Sequence, residues 1–105
     1  MADEYHRTTP RPEHAVYAIS VAAELSGAAI QSIRLWEQRG LLTPHRSPGG
    51  TRRYSANDLT RIARITALVD AGINIAGIAR ILDLEDDNTA LRAGRDARQN
   101  PKQPR

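Results

Sequence analysis

Cysteine is absent from this chain, which excludes disulfides, thiolate metal sites, iron–sulfur ligation and thiol redox sensing. Phenylalanine is absent as well, and the aromatics amount to one tryptophan and three tyrosines. A core must therefore be built from Ile, Leu, Val and Ala, which favours packed helices over an aromatic-rich sheet. The three histidines, His6, His14 and His45, are scattered without ligand-spaced partners, so neither a structural metal nor a cofactor is expected. No apolar run approaches the roughly 20 residues of a membrane span, and the opening MADEYHRTTPRPEH has no signal-peptide pattern. The expected location is the cytoplasm. No His–Asp/Glu cluster and no phosphate-cradling loop followed by Lys is present, so an enzyme is not expected.

Basic charge is present, and it is concentrated. Arginine supplies 14 of the 15 basic residues, and the formal net charge is +3. A total that small makes placement more informative than size. The stretch Gln31–Ser55, QSIRLWEQRGLLTPHRSPGGTRRYS, carries Arg34, Arg39, Arg46, Arg52 and Arg53 against one acid, Glu37. It reads as a positively charged helix followed by a positively charged hairpin. Arginine forks pair with phosphates and base edges, so the stretch suits a nucleic-acid duplex.

Residues 1–14 are polar, contain Pro10 and Pro12, and read as a disordered arm with a net charge of −1. A domain is expected over residues 15–84, followed by a polar tail over 85–105, partly helical to about Arg98 or disordered. Ser20 can cap a first helix, Val21 to about Ser26, with Val21, Ala22 and Leu25 on its inward face, and Gly27 ends it. A second helix starts near Ala28 or Ala29, with Ile30, Ile33 and Trp36 inward and Gln31, Ser32, Arg34, Leu35 and Gln38 wholly or partly outside. Two short helices about a Gly-containing turn make a helix-turn-helix. Gly40 closes the second helix, and Thr43–Arg46 and Thr51–Tyr54 form hairpin arms about Ser47-Pro48-Gly49-Gly50. Ser55 and Asp58 have capping-box spacing for a third helix, with Leu59, Ile62, Ala63, Thr66 and Val69 as its stripe and Ile65 and Leu68 beside it. Asn74 can cap a fourth, in which Ile75, Ile78, Ile81 and Leu82 share a face.

This element order, with Ile33-Arg34-Leu35-Trp36-Glu37, Gly40-Leu41-Leu42, Pro44, Arg46, Gly49-Gly50, Arg52-Arg53-Tyr54 and Asp58, resembles the DNA-binding domain of MerR-type transcription regulators. The resemblance covers Ile19 to Leu84. It implies a mainly α, winged helix-turn-helix fold with four short helices and a small β-hairpin wing. Ile19–Leu25, Gly49-Gly50, Arg52–Ser55 and Asn74–Ile78 look most like the heat-shock repressor branch, which implies repression with a chaperone as co-repressor. There are departures from the family. Leu84 and Leu91 are a heptad apart, but Asp87 and Gly94 hold the alternate seam positions, so any dimerising coiled coil is weak. No effector domain is expected from these residues, and Thr51 stands where many members carry an aromatic before the wing arginine.

The implied function is sequence-specific binding of double-stranded DNA by a transcriptional regulator, a repressor, associated with the nucleoid. The contact residues expected are Gln31, Ser32 and Arg34 on the recognition helix, and His45, Arg46, Thr51, Arg52 and Arg53 on the wing. Alternation along a strand lets only one of Arg52 and Arg53 face the duplex. Trp36 and Tyr54 are expected in the core, and Arg61 and Arg64 in solvent. Assembly as a weak homodimer, or cooperatively on DNA, is expected. The alternatives are an excisionase-like architectural protein and an adaptor that has lost DNA binding; the intact arginine wing argues against the latter.

Overall fold

The computed structural model describes residues 10–99, and the expected arm over 1–9 and tail from 100 lie outside the described residues. The elements are α1 (Ile19–Ser26), α2 (Ile30–Gln38), β1 (His45–Arg46), β2 (Arg52–Arg53), α3 (Ala56–Asp70) and α4 (Ile75–Gln99). They divide into two compact units, one ending at Gly72 and the other beginning at Ile73. The expected domain over 15–84 spans both.

In the first unit, α1 packs on both α2 and α3. Its buried residue is Ala22, whose small side chain permits the close approach. The expected inward partners Val21 and Leu25 are instead 40% and 62% exposed. Ser20 is not the cap either: α1 begins at Ile19, after Ala18, which offers no side-chain cap. Tertiary pairing sets that boundary. Tyr17 and Tyr54 exchange both backbone hydrogen bonds, at 2.9 and 2.8 Å, so the chain leaves the bridge and enters the helix at once. Gly27, at φ 76°, ends α1, and the turn through Ala29 leads into α2.

The core of this unit is Ala22, Ile33, Trp36, Leu41, Leu42, Tyr54, Ile62, Ile65 and Leu68. On α3 the buried residues are Ile62, Ile65 and Leu68, while Ala63 and Val69 are exposed. Ile62 belongs to the expected stripe, whereas Ile65 and Leu68, expected beside it, are buried in place of Ala63 and Val69 where α3 packs on α1. The capping box is formed: Asp58 N–H donates to Ser55 Oγ at 3.0 Å, and Ser55 N–H donates to Asp58 Oδ2 at 2.9 Å. A further orphan donor of the same turn, Asn57 N–H, bonds the Pro12 carbonyl at 3.0 Å. The chain is thus anchored at Pro12, within the segment read as a disordered arm.

In the second unit, Asn74 Oδ1 accepts from Gly77 N–H at 2.8 Å, capping α4 as its position suggested. A Cβ on Gly77 would lie 2.9 Å from Ile73 Cγ2, so glycine leaves room for this cap. Ile78 and Leu82 are the buried residues of the expected stripe. The helix is not short: it runs 25 residues to Gln99, through Gly94. The segment after Leu84 lacks an apolar face, but Ala90, Leu91, Arg92, Ala93 and Arg95 are good helix formers and no proline intervenes before Pro101.

Truncating the tryptophan of the first core should unfold that unit. Trp36→Ala is expected to cost about 3–5 kcal/mol, and Ser55→Ala about 1 kcal/mol through the lost cap. Urea titration followed by circular dichroism checks both, and equal midpoints for the two variants would contradict this packing.

Candidate nucleic-acid interface

Helix α2 has two opposite stripes. Ile33 and Trp36 are buried and Ile30 half-buried, while Gln31, Arg34, Leu35 and Gln38 are exposed. Spacings of three and four residues put those four side chains on one face. Ser32 is half-buried, at the margin of that face. The helix ends in a Schellman motif: Gly40 takes φ 79°, its N–H bonds Glu37 O at 3.1 Å, and Leu41 N–H bonds Trp36 O at 2.9 Å. Leu41, buried at the reversal, directs the chain toward the hairpin.

In the hairpin, His45 is opposite Arg53 and Arg46 opposite Arg52. Pro48 presets the turn, Gly50 N–H bonds Ser47 O at 2.8 Å, and Gly50 takes φ 85°. Arg46 Nη1 donates to the Gly50 carbonyl at 3.0 Å, bracing the tip while its side chain stays exposed. Thr51 is exposed at the tip, and its N–H reaches Ser47 Oγ at 3.3 Å. Two-residue strands do not hold a hairpin in place by themselves. Contacts with the rest of the unit do.

The principal contact is Glu37. Its carboxylate is 5% exposed, accepts from Arg52 Nε at 2.8 Å, and takes a short hydrogen bond from the Tyr54 hydroxyl. A buried carboxylate is costly unless paired and hydrogen-bonded, and here both oxygens are engaged. At the other edge of the wing, His45 Nε2 lies 3.3 Å from Asp58 Oδ2, an ion pair when the imidazole is protonated. Arg61, expected in solvent, is half-buried and donates from Nε to the Leu41 carbonyl at 2.7 Å. It thereby ties the exit of α2 to α3, supplying a donor to a carbonyl just past the helix end. Arg64 is exposed, as expected, though it is not without a partner. Trp36 and Tyr54 are in the core.

The expected residues thus fall in two groups. Gln31, Arg34 and the marginal Ser32 lie on α2, and His45, Arg46, Thr51, Arg52 and Arg53 lie on the hairpin, with Arg52 and Arg53 both half-buried. Arg39, exposed at the end of α2, belongs with them and was not singled out by spacing. Glu37 was visible as the lone acid of a basic stretch and as the last residue of the Ile33–Glu37 motif. Its role could not be read, because it needs the hairpin folded back onto the helix.

Residues 17–85 match the MerR HTH family of regulatory proteins. The chain belongs to that family. The heat shock protein HspR of Streptomyces coelicolor is 47% identical over 79 residues, 74% of this chain and 52% of HspR. The transcriptional repressor CarH of Myxococcus xanthus is 40% identical over 88 residues, 82% of this chain and 29% of CarH. The chain therefore spans about half the length of one of these relatives and less than a third of the other. HiNmlR, a MerR family regulator lacking the sensor domain and crystallised bound to promoter DNA, superposes with a TM-score of 0.60 at 26% identity, over 79% of this chain and 66% of that one. The resemblance to MerR-type regulators and to their heat-shock branch agrees with these relatives.

For this MerR-family domain the Glu37 site also sets an alkaline limit. Burial, then the hydrogen bond to Glu37, push the Tyr54 hydroxyl well above the usual tyrosine range. A raised folded value means that the unfolded chain releases this proton first. The stability Tyr54 contributes is thus complete below its unfolded value of about 10 and is lost as pH rises beyond it. Denaturant midpoints measured from pH 8 to 11 should decline, and Tyr54→Phe should flatten the decline.

Proposed function

We propose that this chain is a sequence-specific, double-stranded DNA-binding transcriptional repressor, with α2 in the major groove and the arginine wing on the flanking backbone. The observation that carries the reading is geometric. The exposed face of α2 (Gln31, Arg34, Leu35, Gln38) and the hairpin arginines are fastened to each other through Glu37. Gln31 and Ser32 stand in the first turn of α2, where a recognition helix reaches base edges. Leu35 offers an apolar contact for a thymine methyl, Arg34 a fork for guanine or phosphate, and Arg46, Arg52 and Arg53 phosphate contacts, with Thr51 and His45 beside them. The promoter DNA bound by HiNmlR and the repressor activity named for CarH support the assignment. The likeness to HspR supports a chaperone as co-repressor. A cytoplasmic, nucleoid-associated protein follows from the same reading.

Selection of bound fragments from random duplex DNA tests the function. Enrichment of a defined sequence is expected, with affinity falling along a log–log salt slope of about −0.9 for each phosphate neutralised. Arg34→Ala should weaken binding by roughly 1–3 kcal/mol with the circular dichroism spectrum unchanged. A flat salt response would remove the electrostatic basis of the proposal.

Assembly belongs to the same proposal. Leu84 and Leu91 on α4 are 52% and 68% exposed, with Asp87 at the seam position between them and Gly94 at the one after Leu91. So short an apolar row supports a weak homodimer, strengthened when a duplex holds two copies at high local concentration. Sedimentation should show mostly monomer at micromolar concentration and cooperative assembly on the selected DNA; a tight dimer without DNA would contradict it.

A further inference from the structure

Glu37 sits where both its helix and the proposed ligand disfavour an acid. It lies in the last turn of α2, at the negative end of the helix dipole, and on the element proposed to enter a groove lined by phosphates. An exposed carboxylate there would lower affinity. This one is 5% exposed and spans two elements, with Arg52 Nε at 2.8 Å and the Tyr54 hydroxyl on its other oxygen. The Arg52 side chain is 37% exposed, and its Nε–H is committed to Glu37 while the Nη groups remain for a phosphate. Arg34 and Arg39, also exposed, have no such tether among the described residues.

We infer that Glu37 is a positioning residue for DNA binding: its carboxylate sets the angle between the recognition helix and the wing and holds the Arg52 fork ready for a phosphate. This rests on the function proposed above. It reverses the sign expected from charge alone. Glu37→Gln raises the formal net charge from +3 to +4, which by itself would tighten binding to a polyanion. Loss of the charge-assisted bond frees the guanidinium instead, and ordering it again on DNA costs conformational entropy.

The test uses the full chain and the duplex recovered by selection. Glu37→Gln should weaken binding by roughly tenfold, and Arg52→Ala by a similar factor, with no further loss in the double variant. The Arg52 Nε–H resonance should be protected from exchange in the parent protein and should lose that protection in Glu37→Gln without added DNA. Tighter or unchanged binding by Glu37→Gln, or losses that add in the double variant, would overturn the inference. If Glu37→Gln does not fold, Arg52→Lys decides: it keeps the charge but not the fork, so a roughly tenfold loss supports positioning and normal binding refutes it. Failure of the wider function has a separate signature, a protected Arg52 Nε–H in a protein that selects no duplex. A missing protection in the parent protein counts against Glu37 alone.

Discussion

One buried carboxylate joins the two halves of the proposed interface. Glu37 belongs to α2 by sequence and to the hairpin by contact, since Arg52 and Tyr54 both donate to it. Two strands of two residues each do not fix their own direction; this bond does so together with the Tyr17–Tyr54 bridge and the His45–Asp58 contact. The desolvation of Glu37 is offset only when both donors are in place, so helix and hairpin adopt their relative position together. That coupling makes a small domain with little core behave as one surface.

The same economy appears elsewhere in the first unit. Tyr54 pairs through its backbone with Tyr17, fills the core with its ring, and hydrogen-bonds Glu37 with its hydroxyl. Asp58 completes the capping box of α3 and faces His45 on the wing. In a chain of this length a core alone supplies limited stability. Residues that serve a cap and a tertiary contact at once compensate for this. They also explain why the segment from Pro12 onward is held, since its carbonyl satisfies a helix donor that would otherwise face solvent.

Local chemistry was the legible part of the sequence. The capping residues Ser55, Asp58 and Asn74, the glycines ending α1 and α2, and the Pro-Gly-Gly turn each act through neighbours three or four residues away, and all appear as read. The inward faces of α1 and α3 were harder. Val21, Leu25 and Val69 fit an apolar stripe, but which stripe is buried depends on where the neighbouring helix lies. The start of α1 was set by the distant Tyr54, and the reach of α4 by helix propensity in a segment without apolar period. In the candidate site, the exposed face of α2 and the charge of the wing were readable. The partners of Glu37 and Arg61 were not, because those contacts span 15 and 20 residues of chain.

Arginine in this unit therefore does two jobs that composition cannot separate. Arg61 gives its Nε–H to the Leu41 carbonyl and Arg52 gives its own to Glu37, so both fix the geometry of α2 and the wing. Arg34 stays exposed on α2 and Arg39 at its C-terminal cap, and Arg46 stays exposed while bracing the hairpin tip. The holding group acts through protein acceptors at short range, where salt screens weakly, and under the proposed function the presenting group would meet phosphates, where salt competes directly. Arg52 falls in both, because one guanidinium carries donors on two edges. A lysine has a single nitrogen at the end of its stem, and it cannot hold a buried carboxylate from one edge while offering another to DNA.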